Sequence, residues 1–158
     1  VKLARLHGCD EEKAEIAGLL HDYCKEYPEE EQVRIAVEQY LLSSREDLLM
    51  PQVLHGPVAS YILKQEGLVD DESVLQAVRY HTTGHPDMDT LAKIIFIADY
   101  IEPGRKTPNI DDLFDIAARD LDECVVEIVD RTTVYLIGKR QIIHEDMIKL
   151  RNRILGKE

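Results

Sequence analysis

The chain has 158 residues, a hydrophobic fraction of 44% and a formal net charge of −12. This length and composition suit one soluble domain, residues 1–158, with a sizeable core. The acidic balance argues against a nucleic-acid polymer as partner, because binding to a phosphate backbone requires a basic face. No apolar run reaches the roughly 18 residues of a membrane span. With three cysteines that lack CxxC spacing, we expect a cytoplasmic protein that neither crosses a membrane nor is secreted.

The apolar periodicity predicts a succession of helices. The first ends at Gly8, and because it has no start signal we expect further residues upstream of Val1 in the natural protein, so that the N-terminal helix is truncated here. Residues 43–54 are predicted as a loop or a short helical turn, and residues 82–87 as a loop dense in turn formers. No strand alternation appears, so the predicted fold class is all-α. The other predicted helices occupy residues 10–25, 28–40, 56–65, 71–81, 88–101, 109–119, 122–139 and 145–155.

His21 and Asp22 place a ring nitrogen and a carboxylate where apolar side chains belong in a predicted helix. His21 extends the stripe of small residues that includes Ala14 and Ala17, which predicts that its side chain faces inward. Asp22 lies about 100° further round the same turn, so the pair can approach one ion from adjacent directions. Lys25 is predicted on the same face as His21, because residues four apart are neighbours on a helix surface.

The same pattern recurs in three further helices. His81 continues an apolar stripe, Asp99 follows a nearly all-apolar run, and His55 begins another stripe. A single histidine on such a stripe is usually a hydrogen-bonded core residue. Several imidazoles and an unpaired carboxylate buried together would cost several kcal/mol unless they share cations. The sequence therefore predicts a buried metal site whose ligands are His21, Asp22, His55, His81 and Asp99.

Four short strings carry a resemblance to a known family. They are His-Asp-Tyr-Cys-Lys at 21–25, Leu-His-Gly-Pro-Val at 54–58, Arg-Tyr-His-Thr-Thr-Gly at 79–84 and Ala-Asp-Tyr-Ile-Glu-Pro-Gly-Arg at 98–105. In this order they resemble the HD-domain metal-dependent phosphohydrolases, and together they look like the bacterial YqeK-type subfamily, the symmetrical diadenosine tetraphosphate hydrolases. The resemblance covers nearly the whole chain. It implies an HD-domain helical bundle around a buried metal site and cleavage of diadenosine tetraphosphate into two ADP.

The resemblance also implies how the metal is held. The five residues named above would hold two metal ions, with Asp22 bridging them. The ions are commonly iron, and manganese or another divalent ion is an alternative. A further histidine ligand is implied upstream of Val1, outside this sequence. His7 does not match it, because it lies beside a predicted helix end, and both His7 and His144 are expected to be surface residues.

Cations bridged by a carboxylate would lower the pKa of a shared water and bind phosphate oxygens. Catalytic roles are therefore predicted for Asp22 and for Lys25, which is placed to neutralise the phosphoryl group or the leaving oxygen. For Lys25 the alternative is an exposed helix cation. Residues 82–84 can donate hydrogen bonds to phosphate or can simply terminate their helix, and Arg105 offers a bidentate fork. The predicted substrate-binding residues are Lys25, Thr82, Thr83, Gly84, His85 and Arg105.

Two other classes of function share these residues. A different nucleotide phosphohydrolase, such as a nucleotidase or triphosphohydrolase, would use the same site, and a product assay separates it from symmetrical cleavage. A non-catalytic metal-dependent nucleotide sensor is the second alternative, and the presence of Asp22 and Lys25 argues against it. The expected partner is a dinucleoside polyphosphate or another nucleotide, and a homodimer is left open.

Overall fold

The computed structural model describes residues 1–102, 110 and 112–156. These residues form nine α-helices and two short 3-10 helices and contain no strand, which confirms the all-α prediction. The 3-10 helices, Glu46–Leu48 and Pro51–Val53, lie between α3 and α4. Among the helices of the described ranges, none combines the length and the apolar character that a membrane crossing requires. The α-helices are α1 (Lys2–Leu6), α2 (Glu11–Leu20), α3 (Glu29–Glu38), α4 (His55–Gln65), α5 (Glu72–Tyr80), α6 (Thr90–Tyr100), α7 (Leu113–Arg119), α8 (Leu121–Gly138) and α9 (Glu145–Leu155).

Three aspartates cap the helices that carry parts of the predicted site. Asp10 accepts two backbone N–H groups at the start of α2, Asp71 accepts two at the start of α5, and Asp89 accepts one at the start of α6. Each cap satisfies donors that the first turn leaves unpaired and places negative charge at the positive end of the helix dipole. The caps fix where these helices begin and thereby where the side chains at their far ends lie.

Helix α6 is the central helix of the bundle. It contacts α1, α2, α5 and α8. Full burial of one large apolar side chain contributes about 1.5–3 kcal/mol, so α6 is held firmly by its neighbours. Its last turn carries Asp99. The buried residues of α6 are Leu91, Ala92, Ile94, Ile95, Phe96 and Ile97.

Helix α2 is shorter than the predicted 10–25. It ends at Leu20, and residues 21–26 form successive turns. The backbone N–H of Tyr23 bonds the carbonyl of Leu20, three residues earlier rather than four, which tightens the chain and ends the α-helix. His21 and Asp22 therefore lie on turns just past α2 and not on a helical face.

Gly56 allows the close approach of α4 to α5. A Cβ atom at this position would lie 2.9 Å from the carbonyl oxygen of Arg79 and 3.1 Å from that of Val78. Protein interiors are packed too tightly to absorb such contacts without a backbone shift. Because glycine has no Cβ, the start of α4 lies against the end of α5, and His55 comes next to His81.

The expectation that His144 is a surface residue is wrong. Its side chain is 1% exposed, caps the start of α9 and lies with Nε2 2.8 Å from Oδ1 of Asp47. Nothing local in the sequence signals this contact, because the two residues are 97 positions apart. His7 is not a plain surface residue either, since it is partly buried and its Nε2 lies 2.6 Å from the carbonyl oxygen of Ala117.

Candidate metal centre

Three histidines of the site orient their rings in the same way. In each, Nδ1 lies at hydrogen-bond distance from the backbone carbonyl three residues earlier: 2.7 Å for His21, 2.9 Å for His55 and 2.8 Å for His81. A carbonyl oxygen only accepts, so Nδ1 carries the hydrogen, and in the neutral ring Nε2 keeps its lone pair. The backbone thereby orients each imidazole as an Nε2 ligand.

The predicted ligands lie at the ends of four helices rather than along apolar faces. His21 follows the last residue of α2, His81 follows the last residue of α5, and His55 is the first residue of α4. Asp99 belongs to the last turn of α6. For His21 and His81, the carbonyl that accepts from Nδ1 belongs to a last helical turn, where carbonyls lack an intrahelical donor. The same hydrogen bond therefore satisfies a carbonyl at the helix end and orients the ring.

The ligand atoms of these residues converge. The Nε2 atoms of His55 and His81 are 3.0 Å apart, and Oδ1 of Asp22 lies 3.2 Å from the first and 3.6 Å from the second. Nε2 of His21 is 3.5 Å from Oδ2 of Asp22 and 3.6 Å from Oδ1 of Asp99. The structure thus brings together all five residues that the sequence singled out as candidate ligands.

Asp22 lies at the centre of this cluster and uses its two oxygens in different directions. Oδ1 faces His55 and His81, while Oδ2 faces His21 and the Nζ atom of Lys25, which is 2.5 Å away. The neighbouring ring of His81 lowers the pKa of Asp22 against the opposing effect of burial, and Lys25 lowers it further. The carboxylate is therefore ionised, and its geometry would allow it to contact two ions.

The surroundings of the site raise the pKa of one histidine and lower the pKa of another. The carboxylate of Asp99, whose Oδ1 lies 3.6 Å from Nε2 of His21, raises the pKa of His21 more than burial lowers it. Burial, followed by the neighbouring charge of His81, lowers the pKa of His55. An ionised carboxylate beside imidazole rings is a donor set that divalent transition metals bind readily.

Two atoms in this cluster are buried without a partner among the described residues: Nε2 of His21 and Oδ1 of Asp22 lack a hydrogen bond. Buried polar atoms almost always have a partner, and leaving one without costs about 1–3 kcal/mol. The Nε2 atoms of His55 and His81 also face each other at 3.0 Å. A divalent cation would remove these costs, because imidazole nitrogens and carboxylate oxygens are its ordinary ligands. The residues present therefore fit a metal ion.

Comparison with known proteins agrees with this geometry. The family model described as HD domain matches residues 1–104. The chain belongs to the HD-domain family. This chain is 43% identical over 156 residues to a Staphylococcus aureus protein named bis(5'-nucleosyl)-tetraphosphatase, symmetrical, and 38% identical over 157 residues to a protein of the same name from Halalkalibacterium halodurans. The matches cover 96% and 98% of this chain and 79% and 82% of those relatives.

A crystal structure from Clostridium acetobutylicum has the same fold. That protein, described as a predicted HD superfamily hydrolase involved in NAD metabolism, superposes with a TM-score of 0.93 at 38% identity. The match covers 99% of this chain and 83% of that chain. The fold class and the family resemblance inferred from the sequence are thus both confirmed.

The predicted substrate-binding residues of this HD domain differ in how their polar atoms are used. Lys25 is half exposed and pairs with Asp22. The hydroxyl of Thr82 donates to the carbonyl of Val53 at 3.4 Å, a long bond that a better acceptor could replace. Thr83 is buried, and its hydroxyl donates to the carbonyl of the next residue.

Gly84 and His85 serve the loop that follows His81. The backbone N–H of Gly84 donates to the carbonyl of Tyr80 at 2.9 Å, and its φ of +66° is the left-handed conformation that ends helices. This geometry corresponds to the helix-termination alternative for Gly84. The ring of His85 stacks on Tyr80 with centroids 4.4 Å apart. Arg105 lies outside the described residues.

Sequence reasoning missed the role of Gly56, which it assigned only to a helix start. Gly56 is the second residue of α4, and glycine is a weak helix former, so its place there has a packing reason. Here the reason is the contact with the end of α5, where a Cβ atom would also lie 3.3 Å from Nδ1 of His81. The signal in the sequence was the position of this glycine directly after His55.

Proposed function

We propose that this HD domain is a metal-dependent hydrolase that cleaves diadenosine tetraphosphate symmetrically into two ADP. The observation that carries the proposal is the convergence of three imidazole Nε2 atoms and two carboxylates in a chain closely related to proteins named symmetrical bis(5'-nucleosyl)-tetraphosphatases. The chain covers about four fifths of those relatives.

The metal would be held by His21, Asp22, His55, His81 and Asp99. We propose two ions, with Asp22 between them, because its two oxygens face different sets of histidines. Iron is the proposed metal and manganese the alternative, since both accept mixed nitrogen and oxygen ligands. When bound, such cations lower the pKa of a coordinated water and neutralise phosphate charge.

The residues of this chain would bind and orient the polyphosphate. Lys25 lies beside Asp22 with half of its side chain exposed, so its remaining N–H donors can reach a phosphate oxygen and stabilise charge that develops there. Thr82 would exchange its long bond to Val53 for a phosphate oxygen. His85, held against Tyr80 by stacking, would contact phosphate from the loop after His81. Thr83, Gly84 and Arg105 complete the proposed substrate-binding set, the first two by shaping that loop.

A product assay tests the proposed function. The metal-free protein is incubated with diadenosine tetraphosphate after addition of Fe²⁺, Mn²⁺ or no metal, and the nucleotides are separated by chromatography. ADP as the sole product, formed only with metal, is expected. ATP and AMP in equal amounts would overturn symmetrical cleavage. Release of nucleoside and inorganic phosphate from mononucleotides, with the dinucleotide left intact, would favour the nucleotidase alternative. Binding of nucleotide without any turnover would favour the sensor.

The remaining features are proposals of smaller scope. A cytoplasmic location is proposed because the three cysteines are free thiols, two of them buried, as in proteins of reducing compartments. The sequence leaves the oligomeric state open, and sedimentation decides between a monomer and a homodimer. A histidine ligand upstream of Val1 also stays a prediction, which metal analysis of this chain beside a longer one would address.

A further inference from the structure

A second buried polar cluster lies outside the metal centre. It consists of Asp47, His144 and Asp146, whose side chains are 4%, 1% and 6% exposed, respectively. His144 and Asp146 lie beyond residue 104, where the match to the HD family model ends. Burying ionisable groups is costly unless they are paired and hydrogen-bonded, so the position of this cluster requires an explanation.

The contacts within the cluster close a loop onto the last helix. Oδ1 of Asp47 accepts from Nε2 of His144 at 2.8 Å, and its Oδ2 accepts the backbone N–H groups of Ser43 and Ser44 at 2.6 and 3.1 Å. Nδ1 of His144 lies 3.2 Å from the backbone nitrogen of Asp146 and so caps α9. One imidazole therefore joins the segment before α4 to the start of α9.

A first path leads from this cluster to His55. Asp47 belongs to the first 3-10 helix, which contacts the second 3-10 helix, Pro51–Val53. The carbonyl of Gln52 in that second helix accepts from Nδ1 of His55 at 2.9 Å. The orientation of the His55 ring therefore depends on a segment that His144 fastens.

A second path leads from α9 to the loop after His81. Gly84 lies so close to α9 that a Cβ atom there would be 2.5 Å from a methyl carbon of Leu150. Arg153 of α9 lies 3.5 Å from Asp87 in the same loop. Helix α9 thus supports the segments next to two histidines of the metal centre.

We propose that His144 is a positioning residue for the metal centre. Its hydrogen bond to Asp47 connects α9 to the segment that orients His55, and α9 in turn supports the loop after His81. The His144–Asp47 pair thereby fixes the distance between His55 and His81. His144 touches neither substrate nor ion, and its effect is on metal affinity and, resting on the proposed function, on turnover at limiting metal.

The test compares variants of the full chain by their affinity for Mn²⁺, measured by titration calorimetry, and by turnover of diadenosine tetraphosphate. His144→Leu fills the space with an apolar side chain and leaves Oδ1 of Asp47 without its donor, whereas His144→Gln supplies an N–H donor. We expect His144→Leu to weaken Mn²⁺ binding about tenfold or more, as loss of an outer hydrogen-bond partner commonly does. His144→Gln should stay within about threefold of the parent. With saturating Mn²⁺, kcat should recover and KM should be unchanged.

A second test variant, Arg153→Ala, and two controls, Val125→Ala and Asn152→Ala, separate positioning from general stability. Val125→Ala removes buried methyl groups from α8 and should lower Tm with Mn²⁺ affinity unchanged. Arg153→Ala removes only an exposed contact to the loop, so it keeps the test decisive if His144→Leu fails to fold. It should weaken Mn²⁺ binding about twofold to threefold, whereas the neighbouring exposed variant Asn152→Ala should not.

Three results would overturn the proposal. One is Mn²⁺ affinity of folded His144→Leu within twofold of the parent, another is an equal loss of affinity in Val125→Ala, and the third is no difference between Arg153→Ala and Asn152→Ala. Because Mn²⁺ affinity is measured without nucleotide, failure of the proposed substrate leaves this result standing.

Discussion

The metal centre, which is buried or partly buried, and the buried His144–Asp47 cluster are two groups of histidine and aspartate with opposite hydrogen bonding. In the metal centre the histidines use Nδ1 on the backbone, while Nε2 of His21 and Oδ1 of Asp22 have no partner among the described residues. In the second cluster, both ring nitrogens of His144 and both oxygens of Asp47 have partners. Histidine and aspartate therefore occur together inside the protein both in ligand sites and in structural pairs. A ligand site is distinguished by polar atoms that lack a hydrogen-bond partner.

The largest effect is expected from removal of the Asp22 carboxylate, whose Oδ1 has no partner among the described residues. Asp22→Ala should lower turnover of diadenosine tetraphosphate about 10³-fold or more, because Asp22 faces all three histidines and no other group can replace it. Helical circular dichroism should be retained, since Asp22 lies on a turn outside the helices. The exposed variant Asp70→Ala serves as control. Residual activity within tenfold of the parent would show that turnover does not require the Asp22 carboxylate.

The next effect tests the separation of ligands in the metal centre. Gly56→Ala places a Cβ atom 2.9 Å from the carbonyl oxygen of Arg79, so α4 must move away from α5, at a cost of about 1–3 kcal/mol. We expect Mn²⁺ affinity to fall about tenfold or more. Gly138→Ala, where a Cβ atom meets nothing within 4 Å, should leave both stability and affinity intact. Equal behaviour of the two variants would show that the close approach does not matter.

A smaller effect separates substrate binding from metal binding. Lys25→Ala should lower kcat/KM about tenfold to a hundredfold, because the lysine would neutralise phosphate charge. Metal content, measured by atomic emission, should match the parent, and Lys64→Ala should alter neither quantity. Metal loss as large as that of Asp22→Ala would instead make Lys25 a support for the carboxylate.

The smallest expected effect is the pH dependence of stability from the satisfied cluster. Burial disfavours the charged form of His144, but its hydrogen bond with Asp47 and the charges of Asp47, Asp146 and Glu46 raise its pKa above 6.5. Burial would also raise the pKa of Asp47, but hydrogen bonds from His144 and from two backbone N–H groups lower it below 3.8. The other groups that face the pair are the hydroxyl of Ser44 on His144 and Lys149 on Asp146.

The direction of the pH effect follows from these two shifts. A raised histidine pKa contributes stability that is complete below about pH 6.5 and is lost as pH rises through the raised value. A lowered aspartate pKa contributes stability that is complete above about pH 4 and is lost as pH falls through the lowered value. The Tm of the parent should therefore exceed that of His144→Asn by the largest amount, a few degrees, between about pH 4 and about pH 6.5. A calorimetric difference that stays constant up to about pH 8 would contradict it.

The sequence predicted most of the fold because local signals determine it. Asp10 and Asp71 begin their helices as their N-cap chemistry requires, and α9 has the predicted bounds. The candidate ligands were recognisable because polar residues interrupt apolar patterns. The early end of α2 was not, since the change to hydrogen bonds between residues three apart after Leu20 leaves no mark on the apolar periodicity. The partner of His144 was not either, because it lies 97 residues away.

Gly56 also sets the register between two helices. Sliding α4 by one residue along α5 would bring a residue with a Cβ atom to the point of closest contact, where the carbonyls of Val78 and Arg79 leave no room. The register between α4 and α5 is therefore fixed at the end that carries His55 and His81, which is the pinned end of this helical hairpin. At the opposite end, a Cβ atom on Gly67 in the exposed connection would meet nothing within 4 Å. Insertions and deletions in that connection should leave the pinned end undisturbed, so this loop is the place where the chain can vary in length at little cost to the metal centre.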